Sequence, residues 1–323
     1  MHRQEFAPRH GVLLVNLGTP SEPTPKAIAA YLKEFLSDTR VIELPRLLWQ
    51  PILRGIILKK RPQSLQYNYQ AIWLQNGAPL AVYTQSLADQ LQDSLGKHYD
   101  VQMAMNYGEP NLRQRLNDMS NVESLTILPL FPQYSATTTG SIFDKITQIC
   151  QQWRYIPSLR FIHQYYQHKG YIEALAQQIE TYWQQHGQAQ QLIMSYHGLP
   201  QKYVKKGDPY PKQCRITSQL LAQRLGLADH QWRMTFQSRF GYSPWLQPYT
   251  DYTLTDLGQS NTINSVQVVC PGFPADCLET LEEIAQTNRD LFLQNGGEEF
   301  GYIPALNDHT EQVNYLKQLV LAP

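Results

Sequence analysis

The feature that most constrains the fold of this chain is a regular alternation of short, β-branched apolar runs with longer segments of helical character. Runs typical of buried strands include 11–16, 124–130, 190–194 and 265–269, and a segment of helical length follows each of them. Such alternation predicts βαβ units, in which parallel strands form a sheet covered by helices. We therefore predict an α/β protein whose functional side chains follow the carboxyl ends of the strands.

The length of the chain, 323 residues, is sufficient for two domains of ordinary size. Pro129 and Pro132 flank the end of a predicted strand and mark the predicted junction. We expect two similar Rossmann-like domains, with parallel sheets flanked by helices and a cleft between them: an N-terminal domain over 1–130 and a C-terminal domain over 131–304. An amphipathic helix within 305–323 is able to pack back on the first domain.

Composition excludes several classes of function. Lys plus Arg and Asp plus Glu both number 27, so no bulk charge attracts nucleic acid, and we expect none to bind. No apolar run approaches the ~18 residues of a membrane-spanning helix, and the polar residues 1–5 do not resemble a signal peptide. The four cysteines are too scattered for a secreted disulfide framework. We expect a cytoplasmic monomer.

Two loops carry the residues best suited to chemistry. The string Ser-Tyr-His-Gly-Leu-Pro (195–200) places His197 after one predicted strand, and the loop 270–277 follows another strand and leads to Glu279. An imidazole beside a carboxylate suits proton abstraction and metal delivery. The competing interpretation is a structural histidine, with acidic residues that only complement a helix dipole.

An acidic stripe is predicted on the helix that contains Glu279. Asp276, Glu279 and Glu283 stand at i, i+3 and i+7 and would share one helical face, whereas Glu282 points away from it. A stripe that leads to His197 would conduct a divalent cation or protons. These four residues, His197 and the three of the stripe, are the predicted metal-binding set.

Two further segments allow two interpretations each. The string 128–141 brings hydroxyl groups to the start of a helix, where they cap it or, as for Ser135, hydrogen-bond the edge of an anionic ligand. Segment Leu47–Lys60 is apolar, has basic residues near its end, and is interrupted by Pro51 and Gly55. It is either a buried helix or an exposed lip that contacts a membrane surface and the carboxylates of a ligand.

Short strings in order along nearly the whole chain carry a resemblance to a known family. Besides 195–200 they are Asn-Leu-Gly-Thr-Pro (16–20), Phe-Leu-Ser-Asp (35–38), Met-Asn-Tyr-Gly (105–108), Pro-Gln-Tyr-Ser (132–135), Gly-Asp-Pro-Tyr-Pro (207–211), Phe-Gln-Ser-Arg-Phe-Gly (236–241), Pro-Trp-Leu (244–246) and Asp-Cys-Leu-Glu-Thr-Leu (276–281). The chain thereby resembles the ferrochelatases, which insert ferrous iron into protoporphyrin IX as the last step of haem synthesis. The resemblance implies a chelatase-like fold around a porphyrin cleft and no organic cofactor.

The resemblance also implies roles for single positions. His197 corresponds to the active-site histidine of the family, and Glu279 to the glutamate of its acidic helix. Residues implied to line the porphyrin pocket are Leu17, Tyr107, Trp245 and Phe273, and Arg61 is expected to meet a propionate. Whether His197 binds the metal, takes the pyrrole protons or does both is left open.

The chain departs from the family pattern in three places. Asn106 stands where members often carry Arg, and Cys277 stands where many eukaryotic members carry a second histidine. The sequence given ends at Pro323 without a cysteine-bearing extension, so a [2Fe–2S] cluster is not expected.

Alternative functions remain open at this point. One is a coproporphyrin ferrochelatase and another is a sirohydrochlorin chelatase for cobalt or nickel, both of which would call for a more basic cleft. A non-catalytic tetrapyrrole carrier could share the fold, but it would have no use for His197 and Glu279 together.

Overall fold

The fold is described from a computed structural model, which covers residues 10–241, 243–260 and 262–322. Residues 1–5, on which the expectation of no signal peptide depends, lie outside the described residues. Within the described ranges, no helix combines the length and the apolar character needed to cross a membrane.

The secondary structure alternates strands and helices as predicted. The strands are β1 (His10–Gly18), β2 (Tyr99–Tyr107), β3 (Ser124–Pro129), β4 (Ser158–Phe161), β5 (Gln191–His197), β6 (Trp232–Gln237), β7 (Ser265–Val269) and β8 (Glu299–Tyr302). The α-helices are α1 (Pro25–Ser37), α2 (Arg46–Ile52), α3 (Leu58–Ile72), α4 (Pro79–Leu95), α5 (Leu112–Asp118), α6 (Ser141–Cys150), α7 (Lys169–His186), α8 (Gln201–Lys205), α9 (Tyr210–Arg224), α10 (Thr250–Gln259), α11 (Arg289–Gln294) and α12 (Thr310–Leu321). Other helical segments are π-helices at Leu53–Ile57, Ala136–Gly140 and Glu279–Asn288 and a 3₁₀ helix at Asp229–Gln231.

The strands form two four-stranded parallel sheets with the same order. The first sheet runs β2-β1-β3-β4 and the second β6-β5-β7-β8. Central strands of such sheets are covered on both faces, which explains why β1 reads as an uninterrupted apolar run whose residues 12–15 are fully buried. The predicted α/β fold with two helix-flanked parallel sheets is confirmed.

The chain divides into two compact units, and the division differs from the predicted junction near residue 131. The first unit contains 136–163 and the segment from 308 onward besides the N-terminal part, and the second contains 132–135 and 164–307. The reason is that β4 pairs in parallel with β3, while Ile142 and Ile146 of α6 pack with Leu13 in the core of the first unit. Pro129 is the last residue of β3, but the domain continues beyond it.

Helix α12 lies in the first unit, where polar contacts fix both its side and its end. Lys317 Nζ donates to the carbonyl oxygen of Ser94 at the end of α4, at 2.7 Å. The Arg160 guanidinium donates to the carbonyl oxygens of Leu319 and Val320 in the last turn of α12, at 2.9 and 2.8 Å. A cation at this end complements the helix dipole and satisfies carbonyl groups that have no intrahelical partner.

The ambiguous segment Leu47–Lys60 is helical and mostly exposed. Leu47 is 91% exposed and Leu48 66% exposed, whereas Leu53 is fully buried. The segment is therefore an exposed helical surface held by one buried side, and the interpretation as a buried helix is wrong.

In the second unit, the sheet brings the two candidate loops together. Its core contains Ile193 of β5 and Val268 of β7, packed with Ile284 and Phe292. Because β5 and β7 are parallel neighbours, with Met194 opposite Val269, their carboxyl ends lie side by side. The residues that follow each strand therefore emerge at the same edge of this sheet.

Candidate active site

His197 is the last residue of β5 and pairs in register with Gln237, the last residue of β6. Its ring Nδ1 lies 2.7 Å from the carbonyl oxygen of Gly198. Because a carbonyl oxygen only accepts hydrogen bonds, Nδ1 carries a proton, and in the neutral ring Nε2 keeps its lone pair. The imidazole is thus arranged to accept a proton or to ligate a metal ion through Nε2.

The residue after His197 is glycine because a side chain does not fit there. A Cβ atom at Gly198 would stand 2.7 Å from the carbonyl oxygen of Gln237 and 3.1 Å from the ring of Trp245. The N–H of Gly198 donates to the same Gln237 oxygen at 2.8 Å. Trp245 is buried, and its Nε1–H donates to the carbonyl oxygen of Phe240 at 3.0 Å. Trp245 therefore supports the loop that carries His197.

The predicted acidic helix is a π-helix over Glu279–Asn288, not an α-helix. Side chains reinforce its five-residue spacing: Asn288 Nδ2 donates to the carbonyl oxygen of Glu283 at 2.7 Å, and the Thr287 hydroxyl donates to the Glu282 carboxylate at 2.9 Å. Hydrophobic spacing over so short a segment does not distinguish the wider turn from an α-helix. π-helical segments are rare and are frequent at functional sites.

The side chain of Glu283 extends from this helix toward the end of β6. Its carboxylate accepts hydrogen bonds from the Ser238 N–H at 2.7 Å, from the Ser238 hydroxyl and, at 3.4 Å, from Gln237 Nε2. Burial raises the pKa of Glu283 above its ordinary value, although the Ser238 hydrogen bond and the nearby His197 oppose the rise. A carboxyl group with a raised pKa close to an imidazole is suited to proton exchange.

Ser238 is a site residue that sequence reasoning missed. Its φ of 63° lies in the left-handed region, which costs a non-glycine residue about 1–3 kcal/mol. The two hydrogen bonds to Glu283 hold it there. The motif that contains Ser238 marked the segment, but no residue pattern signals the backbone conformation that aims both of its donors at one carboxylate.

Glu279 occupies the first turn of the π-helix. Its carbonyl oxygen accepts a hydrogen bond from Gln237 Nε2 at 2.8 Å. Burial raises the pKa of the neighbouring Cys277 thiol, and the Glu279 carboxylate raises it further. Cys277 is therefore a protonated thiol beside Glu279, not a thiolate.

Asp276 requires a correction to the predicted metal-binding set. It is buried, and its Oδ1 accepts hydrogen bonds from the Tyr302 hydroxyl at 2.5 Å and the Thr280 hydroxyl at 2.9 Å. Its Oδ2 accepts one from Asn307 Nδ2 at 2.8 Å, and Asn307 Oδ1 accepts from the Asp276 N–H at 2.7 Å. Because both oxygens are occupied within the core, Asp276 anchors the start of the helix instead of extending the acidic stripe.

A preassembled metal site is not found in the part of the chain that the structure describes. There, no three His, Cys, Asp or Glu side chains stand close enough together to hold an ion. A cavity of about 600 Å³ adjoins Glu283, and its lining includes the carboxylates of Asp251 and Asp290. Arg239, also in the lining, pairs with Asp251 at 2.7 Å. Asp290 pairs with Arg289 at 3.2 Å, so both aspartates of the lining have an arginine partner and Glu283 is the remaining carboxyl group.

Phe273 and Ser135 lie in loops of the second unit. The ring of Phe273 is centred 6.5 Å from the ring of His197, so these two predicted residues are neighbours. Ser135 is buried, and its hydroxyl donates to Asp208 at 2.9 Å. Asp208 also accepts a hydrogen bond from the N–H of Tyr210 at 3.0 Å. Ser135 therefore braces the loop that contains Asp208.

The first unit holds the remaining predicted residues. Leu17 is half-buried near the end of β1, and Arg61 is exposed on α3. Tyr107 ends β2 and is 1% exposed, with its ring centred 5.2 Å from that of Phe35. Of the three residues, Leu17 and Arg61 present accessible surface, whereas Tyr107 is part of the core.

A polar network holds Tyr107. Its hydroxyl donates to Asp38 at 2.9 Å and lies 3.0 Å from the Ser141 hydroxyl. Burial raises the pKa of Tyr107, and the Asp38 carboxylate raises it further, so the hydroxyl remains protonated. Lys145 Nζ lies 3.8 Å from the centre of the Tyr107 ring, and burial lowers the pKa of this lysine to about 8.

Lys145 lies close to Asn106, the position at which this sequence departs from the family pattern. Its ammonium group donates to the carbonyl oxygen of Asn106 at 2.5 Å, and Asn106 Nδ2 donates to Ser141 Oγ at 3.0 Å. A cation from α6 therefore stands beside the position where the family often carries Arg. Sequence spacing did not reveal this, because Lys145 lies on a different element.

Comparison with known proteins agrees with the resemblance seen in the sequence. A family model described as Ferrochelatase matches residues 9–322. A protein of Edwardsiella ictaluri named Ferrochelatase is 51% identical over 319 residues, which cover 98% of this chain and 99% of that protein. A protein of Shewanella oneidensis named Ferrochelatase 1 is 48% identical, over 97% of this chain and 96% of that protein.

Solved structures of low identity share the fold. SirB from Bacillus subtilis superposes with a TM-score of 0.56 at 10% identity, over 97% of this chain and 94% of that one. CbiX, described as the terminal enzyme of sirohaem biosynthesis in denitrifying bacteria, gives a TM-score of 0.53 at 14% identity, over 97% of this chain and all of that one. At such identities the likeness shows the fold alone. The family match over nearly the whole length, with relatives at about half identity, shows that the chain belongs to the ferrochelatase family.

Proposed function

We propose that this protein inserts ferrous iron into protoporphyrin IX and thereby forms protohaem. Ferrous iron and the porphyrin are its substrates, and the reaction needs no organic cofactor. Full-length relatives named ferrochelatase support this function. The observation that carries it is the Nδ1–H···O contact from His197 to Gly198, which orients the ring and leaves Nε2 available near Glu283, a carboxyl group whose pKa is raised by burial.

The chemistry assigned to His197 is proton removal. Metalation replaces two pyrrole protons by one Fe²⁺ ion, so both protons must be taken up as the iron–nitrogen bonds form. The Nε2 lone pair of His197 accepts the pyrrole protons one after the other: the first passes on to the Glu283 carboxylate, whose pKa burial raises, and the second stays on the imidazole until product release. Because Nδ1 already donates its proton to the carbonyl oxygen of Gly198, the ring orientation is fixed before the porphyrin binds.

The route assigned to iron uses Glu279 and Glu283, without Asp276. Glu283 lines the cavity and meets a divalent cation that enters it, and the two glutamates pass the ion toward His197. The ion must be released to the porphyrin, and a closed site with several strong protein ligands would slow that release. Transient contacts with single carboxylates meet that requirement.

The porphyrin contacts follow from which predicted residues are accessible. Among the residues that the family resemblance assigns to the porphyrin, Leu17, Phe273 and Arg61 present accessible surface and are the ones able to contact a ligand directly. Tyr107 and Trp245 are buried, so each supports the segment of its own unit that surrounds it.

The decisive assay supplies ferrous iron anaerobically and compares protoporphyrin IX with coproporphyrin and sirohydrochlorin. We expect protohaem formation, and a His197→Ala variant that still folds and binds porphyrin but is ~10²–10⁴-fold slower, the usual contribution of a general base. His186→Ala, at an exposed position on α7, is the control. The proposal fails if the parent metallates another tetrapyrrole and not protoporphyrin. It also fails if His197→Ala stays within threefold of the parent.

We also propose weak peripheral contact with a membrane through the exposed helical surface Leu47–Lys60. Leu47, Leu48 and Ile56 are largely exposed there, and Lys59 and Lys60 follow them. Apolar side chains inserted among lipid headgroups, with cations facing anionic lipid, give salt-sensitive association. Such contact suits an enzyme whose substrate and product are poorly soluble in water.

Finally, we propose that the four cysteines hold no [2Fe–2S] cluster. Cluster ligation requires several thiolates close together, and no three His, Cys, Asp or Glu side chains of the described residues lie close enough to hold a metal ion. Iron is then a substrate only.

A further inference from the structure

We infer that the Asn76–Gly77 pair is a site of spontaneous deamidation, at which the folded protein acquires a new carboxylate. The site lies in the first unit, and its reactivity does not depend on the proposed function. The chain contains two Asn-Gly pairs, and both stand in the same tripeptide, Gln-Asn-Gly, at 75–77 and 294–296. Because the local sequence is the same, the fold sets the difference in reactivity between the two pairs.

The reaction needs no catalyst and no co-reactant other than water. The backbone nitrogen of the glycine attacks Cγ of the asparagine, so that an N–Cγ bond forms, the Cγ–Nδ2 bond breaks, and ammonia leaves with the proton of the backbone nitrogen. Water then opens the resulting succinimide at one of its two carbonyl groups and gives aspartate or isoaspartate. Glycine favours the attack because it has no Cβ atom and its backbone adopts many conformations. The asparagine amide must be able to turn toward the next residue.

Asn76 meets this requirement, because it lies at the tip of an exposed turn between α3 and α4. Leu74 and Gly77 form an isolated antiparallel bridge, with main-chain hydrogen bonds of 3.0 and 3.2 Å, and Gln75 and Asn76 are the two exposed residues between them. Among the residues that the structure describes, none hydrogen-bonds the Asn76 amide. A Cβ atom at Gly77 would have only a methyl group of Val82 within 4 Å, at 3.8 Å, so the turn also has room to move.

Asn295 does not meet it, because both ends of its amide are held at the end of α11. Its Nδ2 donates to the carbonyl oxygen of Leu291 at 2.8 Å, and its Oδ1 accepts a hydrogen bond from Gln259 Nε2 at 2.9 Å. The next residue, Gly296, is packed against α10, since a Cβ atom there would stand 2.9 Å from the Gly258 carbonyl oxygen. Attack at this pair requires two hydrogen bonds to break and a packed helix end to open.

The attacking nitrogens themselves do not distinguish the two pairs. The N–H of Gly77 donates to the carbonyl oxygen of Leu74, and the N–H of Gly296 donates to that of Leu293, each at 3.2 Å. The difference therefore resides in the asparagine side chains and their packing. Hydrogen bonds of ordinary strength that must break first at Asn295 make deamidation at Asn76 at least ~10-fold faster in the folded protein.

The two products should affect the fold differently. Helix α4 begins at Pro79, its N-cap Ala78 makes no side-chain hydrogen bond, and its first turn contains no acidic residue. An aspartate at 76 would complement the dipole of this helix and should be tolerated. Isoaspartate adds a carbon atom to the main chain between Leu74 and Gly77 and should disrupt their bridge.

The test follows both pairs in one sample of the full chain. The purified protein is incubated at neutral pH, and peptides that contain residue 76 or residue 295 are quantified by mass spectrometry, with isoaspartate labelled by an isoaspartyl methyltransferase. We expect product at 76 to accumulate at least ~10-fold faster than product at 295. In urea, which unfolds the chain, the two identical tripeptides should react at similar rates.

Variants provide the second readout. Lys plus Arg and Asp plus Glu both number 27, so one new carboxylate gives the chain a net negative charge and separates the product by ion exchange. Asn76→Gln should fold like the parent and lose this acidic form, because the longer side chain closes the ring far more slowly. Asn295→Gln is the matched control and should accumulate the acidic form like the parent.

Melting temperatures separate the new charge from the altered main chain. Asn76→Asp should melt like the parent, and the isolated isoaspartate form should melt at a lower temperature. Equal rates at the two positions of the folded protein overturn the inference, and so does an absence of product at 76 while the urea sample reacts. A difference that persists unchanged in urea overturns it as well, because the fold would then not set the reactivity.

Discussion

At the scale of single residues, Glu279 and Glu282 stand three positions apart on one helix in different surroundings. Glu279 lies beside the Cys277 thiol, and its carbonyl oxygen is bound by Gln237. The Glu282 carboxylate accepts a hydrogen bond from Thr287 farther along the same helix. The two residues have the same charge and lie on the same helix. Comparing variants of the two therefore distinguishes a specific role of one carboxylate from the overall acidity of the helix.

We expect Glu279→Gln to reduce the rate of iron insertion at least tenfold, because it removes a carboxylate from the proposed route of the ion. Glu282→Gln should remain within twofold of the parent. Initial rates at subsaturating ferrous iron provide the measurement. Equal losses in the two variants would indicate that only the overall acidity of the helix matters.

Glu283 makes stability depend on pH in a defined direction. Burial raises its folded-state pKa above the ordinary value of 4.5, so the folded protein binds this proton more tightly than the unfolded chain. The resulting stabilisation is complete below pH 4.5 and is lost as the pH rises through the folded-state pKa.

Glu283→Gln cannot ionise and should lack that loss. We expect the unfolding free energy of this variant, relative to the parent, to rise with pH from about 4.5 upward. Urea unfolding at a series of pH values tests it, with Glu282→Gln as the control that follows the parent. Parallel curves for parent and Glu283→Gln would contradict the raised pKa.

At the scale of elements, the turn after β5 tolerates no side chain. We expect Gly198→Ala to reduce the unfolding free energy by about 1–3 kcal/mol, as overpacking does, because its Cβ would meet the Gln237 carbonyl oxygen and the Trp245 ring. Iron insertion should also slow, since the loop carries His197.

The matched control for that change is Gly55→Ala. A Cβ atom at Gly55 would have nothing within 4 Å, and its segment is helical, so alanine should be neutral or stabilising by roughly 0.5–1 kcal/mol. Thermal melts of both variants provide the comparison. If Gly198→Ala melts with the parent, the close approach in the loop is not a constraint.

The π-helix shows how far sequence predicts an element. Its position and its acidic character follow from the residues after β7, but its five-residue spacing does not. That spacing is stabilised by side chains such as Asn288, which reaches back to the carbonyl oxygen of Glu283. Because an α-helix would use the same residue types, the pattern alone favours the commoner structure.

At the scale of the whole molecule, the exposed helical surface Leu47–Lys60 predicts association with lipid. We expect the protein to float with vesicles that contain anionic lipid at low salt and to detach at high salt. Leu47→Ser/Leu48→Ser should reduce flotation while the far-ultraviolet circular dichroism is unchanged, because both side chains are exposed.

The control for flotation is Tyr155→Ser/Ile156→Ser, which removes a second pair of exposed apolar side chains, 58% and 53% accessible. It should float like the parent. Equal loss in both double variants would indicate nonspecific adsorption, and flotation of the Leu47→Ser/Leu48→Ser variant at the level of the parent would exclude this surface as the anchor.

Sequence alone determined the alternation of strands and helices, the parallel sheets, the family, the placement of His197 at the end of one strand, and that of Glu279 in the helix that follows another. These features are local, or repeat with the period of an element, so hydrophobic spacing and turn residues report them. Sequence also indicated an apolar, basic surface at 47–60, although exposure was one of two interpretations.

Tertiary structure decided which polar groups meet. Asp276 belongs to the core because Asn307, 31 residues farther along the chain, binds its carboxylate. Glu283 belongs to the site because Ser238, 45 residues earlier, turns two donors toward it. A sequence pattern records whether a position is polar, whereas the pKa and the availability of a carboxylate depend on the donors that folding brings to it from distant segments.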